Sequence, residues 1–169
     1  LESRAIMTNN LSVSFATFAF GITAGIGTLW MLAFNGLLFG VVSAACWQAG
    51  MAGQLFSFVA PHGVLELPAI FIAGGAGLLI AKGLLFPGAL PGRDSLVREG
   101  GRAMQLALGI IPLLIVAGTV EGFVSPSDLA VRWKYLLAAG LFGVLLLFVM
   151  RKTPPVEQAG ASVQAASIR

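Results

Sequence analysis

Charged residues are scarce in this chain of 169 residues. Asp, Glu, Lys and Arg together make up 10% of it, whereas soluble globular domains carry about 25%. Hydrophobic residues make up 57%, and the mean hydropathy is +0.93. So few charges leave too little polar surface for a water-exposed protein of 17.5 kDa. The composition therefore excludes an ordinary soluble domain and predicts an integral membrane protein.

Cysteine and histidine are each present once, as Cys46 and His62. A single cysteine excludes an intrachain disulfide framework and a cysteine-based metal site. The ten Lys and Arg residues are scattered without interleaved aromatics, so nucleic acid is not an expected partner. No cofactor is predicted. The expected partners are the lipid bilayer and other membrane or envelope proteins, and a homo-oligomer remains open.

Five apolar stretches are long enough to cross about 30 Å of hydrocarbon as helices. They predict an all-α, polytopic transmembrane bundle over residues 1–150, with spans at about 11–34, 36–60, 62–86, 103–123 and 133–150. Asn35 and Gly36 are predicted to form the tight turn of the first hairpin. Residues 151–169 are rich in Ala, Ser, Gln and Pro, which predicts a disordered tail.

The positive charges predict the orientation of these spans, because cytoplasmic loops keep an excess of Lys and Arg. One side carries six of them: Lys82, Arg93, Arg98, Arg102, Arg151 and Lys152. The other side carries three: Arg4, Arg132 and Lys134. We therefore expect the loop 87–102 and the C-terminus in the cytoplasm, and residues 1–10 and 125–131 on the outside.

Glycines four residues apart recur inside the predicted spans. Small residues at this spacing let helices approach closely in lipid. The pairs are Gly21/Gly25, Gly36/Gly40 and Gly118/Gly122. They predict helix packing, and the motif is equally compatible with packing inside one chain and with dimerisation.

A few polar residues stand where lipid should exclude them, and such residues require a partner or a function. His62 and Glu66 are four residues apart and share one helix face. Glu121 is expected at the same outer level, because the third and fourth spans are antiparallel. The predicted buried polar cluster, a candidate functional site, comprises His62, Glu66, Glu121, Gln54, Asn9 and Asn10.

Prolines accompany this cluster. Pro68 has no N–H to donate to the carbonyl of Val64, so residues 61–68 are predicted to form either a kinked first turn or a short re-entrant segment. Pro112 is predicted to kink the fourth span, on the side of the helix opposite Glu121.

The same residues carry a resemblance to a known family. The strings Thr8-Asn9-Asn10, Phe34-Asn35-Gly36, Pro61-His62-Gly63, Glu66-Leu67-Pro68-Ala69 and Glu121-Gly122-Phe123 resemble stage II sporulation protein M, over roughly residues 9–150. The resemblance implies a multi-pass protein of the bacterial cytoplasmic membrane. It also implies assembly into an envelope complex, since the founding member acts in forespore engulfment with two peptidoglycan-degrading partners.

Three functional hypotheses follow from the polar cluster. The first is a structural or assembly component of a membrane complex linked to envelope or peptidoglycan remodelling, with no catalytic residue. The second is a transporter or a proton- or ion-conducting permease that uses His62, Glu66 and Glu121. The third, with the weakest signal, is a metal-dependent membrane hydrolase with these three side chains as zinc ligands.

Overall fold

The computed structural model describes residues 2–151, and side chains from residue 9 onward. Five α-helices make up this part of the chain: α1 (Glu2–Ala19), α2 (Ile26–Gln48), α3 (Ala52–Leu85), α4 (Gly92–Phe123) and α5 (Val131–Met150). A 3-10 helix, Phe20–Thr23, follows α1. Helices α2 to α5 are each long and apolar enough to cross a membrane. The predicted all-α, polytopic bundle is confirmed; apart from Arg151, the predicted disordered tail lies outside the described residues.

The predicted turn at Asn35 and Gly36 is wrong, because α2 runs through both residues without interruption. The Asn35 amide donates a hydrogen bond to the backbone carbonyl of Met31 at 2.7 Å, which satisfies it within the helix. The chain turns instead before α2, where Gly25 has a φ of 84°, and after it, where Gly50 has a φ of 71°. Both values lie in the left-handed region that glycine adopts at little cost.

The boundary predicted between the second and third spans is also wrong. Helix α3 begins at Ala52 and continues for 34 residues through Pro61 and Pro68, so residues 61–68 form neither the first turn of a helix nor a re-entrant segment. Its length of about 50 Å exceeds the hydrocarbon thickness. Predicted spans 11–34, 36–60 and 62–86 are replaced by α1, α2 and α3, whereas α4 and α5 contain the predicted fourth and fifth spans.

Helix α3 is the central element and contacts every other helix. Its buried face consists mainly of small side chains, which let neighbouring helices approach closely. Ala69 and Ala73 pack against Ile110 and Leu114 of α4. A second apolar group joins α3, α4 and α5 through Leu65, Ala117 and Leu145 respectively.

Two of the predicted glycines lie where the chain approaches α3. Gly21 is in such close contact with the backbone of Gly77 that a Cβ atom at Gly21 would overlap it, and Gly25 lies against Ala81. Next to Gly77, the Thr28 hydroxyl donates a hydrogen bond to the carbonyl of Thr17 at 2.8 Å, in the buried space between α1 and α2.

The other predicted glycine pairs differ from this one. Gly118 is buried in α4. Gly36, Gly40 and Gly122 have no described atom within 4 Å of the position that a Cβ atom would occupy. These three glycines therefore do not mediate helix packing within the described part of the chain.

Candidate functional site

A buried polar cluster lies where α3, α4 and α5 meet near the start of α5. His62 and Glu66 project from the buried face of α3, with 4% and 8% of their surface exposed. The Nδ1 atom of His62 is 2.9 Å from the Ser125 hydroxyl, in the turn that follows α4. The ring of Phe58 packs edge-on against the His62 ring, with 5.8 Å between their centres. We call this group the His62 cluster: Asn10, His62, Glu66, Glu121, Ser125 and Lys134.

Helix α1 reaches the cluster through Asn10. The Asn10 amide donates a hydrogen bond to Oε2 of Glu66 at 2.7 Å. The two residues are 56 positions apart, so this contact depends on the tertiary fold. It satisfies one of the two oxygens of a buried carboxylate.

Helix α5 reaches the cluster through Lys134. Its Nζ atom donates a hydrogen bond to the backbone carbonyl of Ser125 at 2.8 Å, and the residue is 8% exposed. Ser125 therefore joins two helices, since its hydroxyl contacts His62 and its carbonyl accepts from Lys134. Neither residue was predicted to belong to the cluster. Lys134 offered one signal, because it is a lysine one turn inside an apolar helix, but that signal does not identify Ser125 as its partner.

Glu121 is the least satisfied member of the cluster. It is completely buried, and neither carboxylate oxygen has a hydrogen-bond partner among the described residues. Glu66 lies near enough that the two carboxylates would repel each other if both were ionised. A buried carboxylate without partners is costly in free energy unless a proton or a cation neutralises it. Within the cluster, binding of a cation or a proton would therefore lower the free energy most at Glu121.

Two residues predicted for the cluster lie outside it. Gln54 is exposed in the first turn of α3, and eight residues separate it from His62, about 12 Å along the helix. Asn9 is exposed, whereas its neighbour Asn10 turns inward to Glu66. Pro112 is exposed on α4, on the face opposite the buried Glu121, as the helical wheel predicts.

The cluster does not form a metal centre of the kind that a zinc hydrolase needs. No three His, Cys, Asp or Glu side chains in the described part of the chain are placed to share a metal ion. The zinc alternative with His62, Glu66 and Glu121 as joint ligands is therefore not supported, and no mechanism is derived from it.

A second polar group lies at the other end of α4. Glu99 is 1% exposed, and its Oε1 atom lies 2.9 Å from Arg98, 3.1 Å from Arg102 and 3.7 Å from Lys82 of α3. The close approach of Gly83 to α4 brings the two helices together at this level. We call this group the Glu99 cluster: Lys82, Arg98, Glu99 and Arg102. The sequence positions of these cations predicted orientation only, and their meeting at one carboxylate was not predicted.

These features define a polytopic α-helical protein with buried polar groups at both ends of one helix pair. The chain belongs to the stage II sporulation protein M family, whose match covers residues 3–126 and so includes α1 to α4. It is 30% identical over 125 residues to an uncharacterized protein of Methanocaldococcus jannaschii, covering 73% of this chain and 70% of that protein. A second uncharacterized protein of that organism is 28% identical over 124 residues, covering 72% and 54%. No solved structure matches the chain at a significant level.

The family assignment predicted from the residue strings is confirmed. Both relatives come from an archaeon, so the family is not limited to spore-forming bacteria. A bacterial source, sporulation and a place in the cytoplasmic membrane with a cytoplasmic C-terminus stay predictions.

Proposed function

We propose that this protein is an assembly component of a membrane protein complex in the cell envelope. The observation that supports it is the connectivity of the His62 cluster. Its hydrogen bonds join α1 to α3, α3 to the turn after α4, and that turn to α5. Four parts of the chain are thereby held at one level, which is the role expected of a buried polar network that specifies packing.

The outer surface of α2 supports the same proposal. Of its 23 residues only Thr28 is buried, while large apolar side chains such as Trp30 and Leu37 are 68% and 67% exposed. Gly36 and Gly40 lie on this helix with open space above them. A rigid bundle with one peripheral, glycine-containing helix is suited to contact another membrane segment.

Photo-crosslinking tests this proposal. A benzophenone amino acid at Leu37 is expected to form one reproducible adduct with an identified membrane protein or a second copy of the chain. The same group at Phe123, which is 79% exposed on α4, is the control and is expected to react with lipid. Glu66→Gln, which keeps the shape of the side chain, should preserve the adduct. Lipid adducts alone at Leu37 would contradict the proposal.

A second function, proton or cation coupling, is favoured by one observation, the unpartnered carboxylate of Glu121 next to Glu66. Membrane-buried acids of this kind mark ion and proton pathways. The test is ion or proton flux into vesicles that contain the purified chain. Flux that Glu121→Gln abolishes while the crosslink at Leu37 persists would establish this function in place of a purely structural role.

A further inference from the structure

The Glu99 cluster has more positive charge than its carboxylate neutralises. Glu99 is 1% exposed, whereas the side chains of Lys82, Arg98 and Arg102 are 54%, 54% and 57% exposed. Asp94, on the first turn of α4, takes part in none of these three bridges. Three cations thus surround one buried anion, which leaves a local charge of +2 with the basic groups accessible from outside.

An apolar groove between α4 and α5 begins beside this cluster. Its volume is about 530 Å³, which is within the range of small-ligand sites. Arg102 lies three and four residues before Gln105 and Leu106, so it occupies the same face of α4 as the groove. The lining residues that matter here are Gln105, Leu106, Gly109, Val116, Val144 and Phe148.

We propose that the Glu99 cluster and this groove together bind one anionic phospholipid. Its phosphate would lie on Arg98 and Arg102, whose planar guanidinium groups match phosphate oxygens in pairs. One acyl chain would lie in the groove along α4.

Two arguments favour a lipid over another occupant. Basic pockets between membrane helices at the cytoplasmic side are suited to anionic head groups, and the charge pattern predicts that this end of the bundle is cytoplasmic. The groove lining on α4 also begins at Gln105, three residues after Arg102 on the same helix face, as the head and the chain of a single lipid require.

Lipid selectivity of the purified chain tests the head-group contact. The measured quantity is the association of spin-labelled phosphatidylglycerol relative to spin-labelled phosphatidylcholine. Arg102→Gln is expected to lower this preference about fivefold. Arg93→Gln removes the same charge from the same helix at a residue outside the Glu99 bridges, and it should change the preference less than about twofold. Glu99→Gln should raise the preference, because it removes the competing carboxylate.

The groove is tested separately. Gly109 lines it and has open space at its Cβ position, so Gly109→Leu should fill the groove and lower phosphatidylglycerol binding without disturbing the backbone. Gly143→Leu, at an equally open position of α5 outside the groove lining, is the control. Circular dichroism verifies that each variant is folded.

Three results would overturn the proposal. One is an equal effect of Arg102→Gln and Arg93→Gln. Another is an unchanged lipid preference in Gly109→Leu. The third is full displacement of the lipid by inorganic phosphate, which would identify a free-phosphate site instead.

Discussion

Glu99 and Glu121 are both buried in α4, yet their surroundings are opposite. Glu99 is contacted by three cations, whereas both oxygens of Glu121 lack a partner among the described residues. Along the helix, 22 residues or about 33 Å separate them, which is close to the hydrocarbon thickness. Burial therefore does not by itself assign a role to a membrane glutamate. The partners around it do, since they determine whether its charge is already balanced.

The two ends of α4 are also stabilised by different kinds of interaction. At the Glu99 end, α3 and α4 are joined by charge and by close backbone approach at Gly83. At the Glu121 end, hydrogen bonds join α1 to α3 and α3 to the turn after α4. Glu121 itself makes no hydrogen bond to the described residues. Substitutions at the two ends should consequently differ in the size, the sign and the salt dependence of their effects on stability.

The largest difference is expected for β-branched substitutions of two glycines. A Cβ atom at Gly83 would lie 3.1 Å from the Cα atom of Leu96, 3.2 Å from the Cβ atom of Glu99 and 3.3 Å from the carbonyl oxygen of Ser95. Gly83→Val should therefore separate α3 from α4 and destabilise the fold by about 2–3 kcal/mol. Gly122→Val, one residue after Glu121, enters open space and should cost less than about 1 kcal/mol. Unfolding of both variants in the same detergent measures the difference, and equal costs would contradict the packing described for Gly83.

Removing the hydroxyl of Ser125 should have the next largest effect. Ser125→Ala leaves the buried His62 ring without its partner, which costs about 1–3 kcal/mol in unfolding free energy. Ser127→Ala is the matched control, because the Ser127 hydroxyl only bonds to the carbonyl of Val124 three residues earlier. Equal unfolding free energies of the two variants would show that the hydrogen bond between Ser125 and His62 does not fasten the turn after α4 to α3.

A smaller effect is expected at Asn10. Asn10→Ala removes the hydrogen bond to Glu66 and should cost about 1 kcal/mol. Asn9→Ala changes the exposed neighbour and should be neutral within about 0.5 kcal/mol. Chemical denaturation of the two variants distinguishes them, and the opposite ranking would mean that α1 is held elsewhere.

The smallest effect is a salt response confined to one end. The cations of the Glu99 cluster are more than half exposed, so added salt should screen its bridges. The melting-temperature difference between wild type and Glu99→Gln should therefore shrink as NaCl is raised. The corresponding difference for Glu121→Gln should stay constant, and a salt response there would show that solvent ions reach Glu121.

Much of this architecture follows from sequence because lipid constrains it. The apolar runs predicted α4 and α5, and the i, i+4 spacing correctly placed His62 and Glu66 on one buried face. The prediction of a turn at Asn35 was wrong because an asparagine amide inside a helix can donate to the carbonyl four residues back, as Asn35 does to Met31. The prediction of a helix boundary at Pro61 was wrong because a membrane helix tolerates a missing backbone hydrogen bond.

The long-range contacts were harder to predict. Ser125 and Lys134 join the His62 cluster only when the turn after α4 folds back over α3, and neither spacing nor composition signals that closure. Gln54 was placed wrongly because α3 begins nearly three turns before His62, which puts Gln54 in the first turn of that helix. The meeting of three cations at Glu99 likewise depends on how closely Gly83 lets α3 approach α4.

One pair of variants tests the central comparison most directly. Glu99→Gln and Glu121→Gln each replace a buried carboxylate with a neutral side chain of the same shape, and thermal unfolding in lipid nanodiscs measures both. Glu99→Gln should lower the melting temperature, because three cations lose their shared partner. Glu121→Gln should leave it unchanged or raise it, because no contact is lost and the repulsion from Glu66 disappears. A loss of stability in Glu121→Gln equal to that in Glu99→Gln would contradict the account.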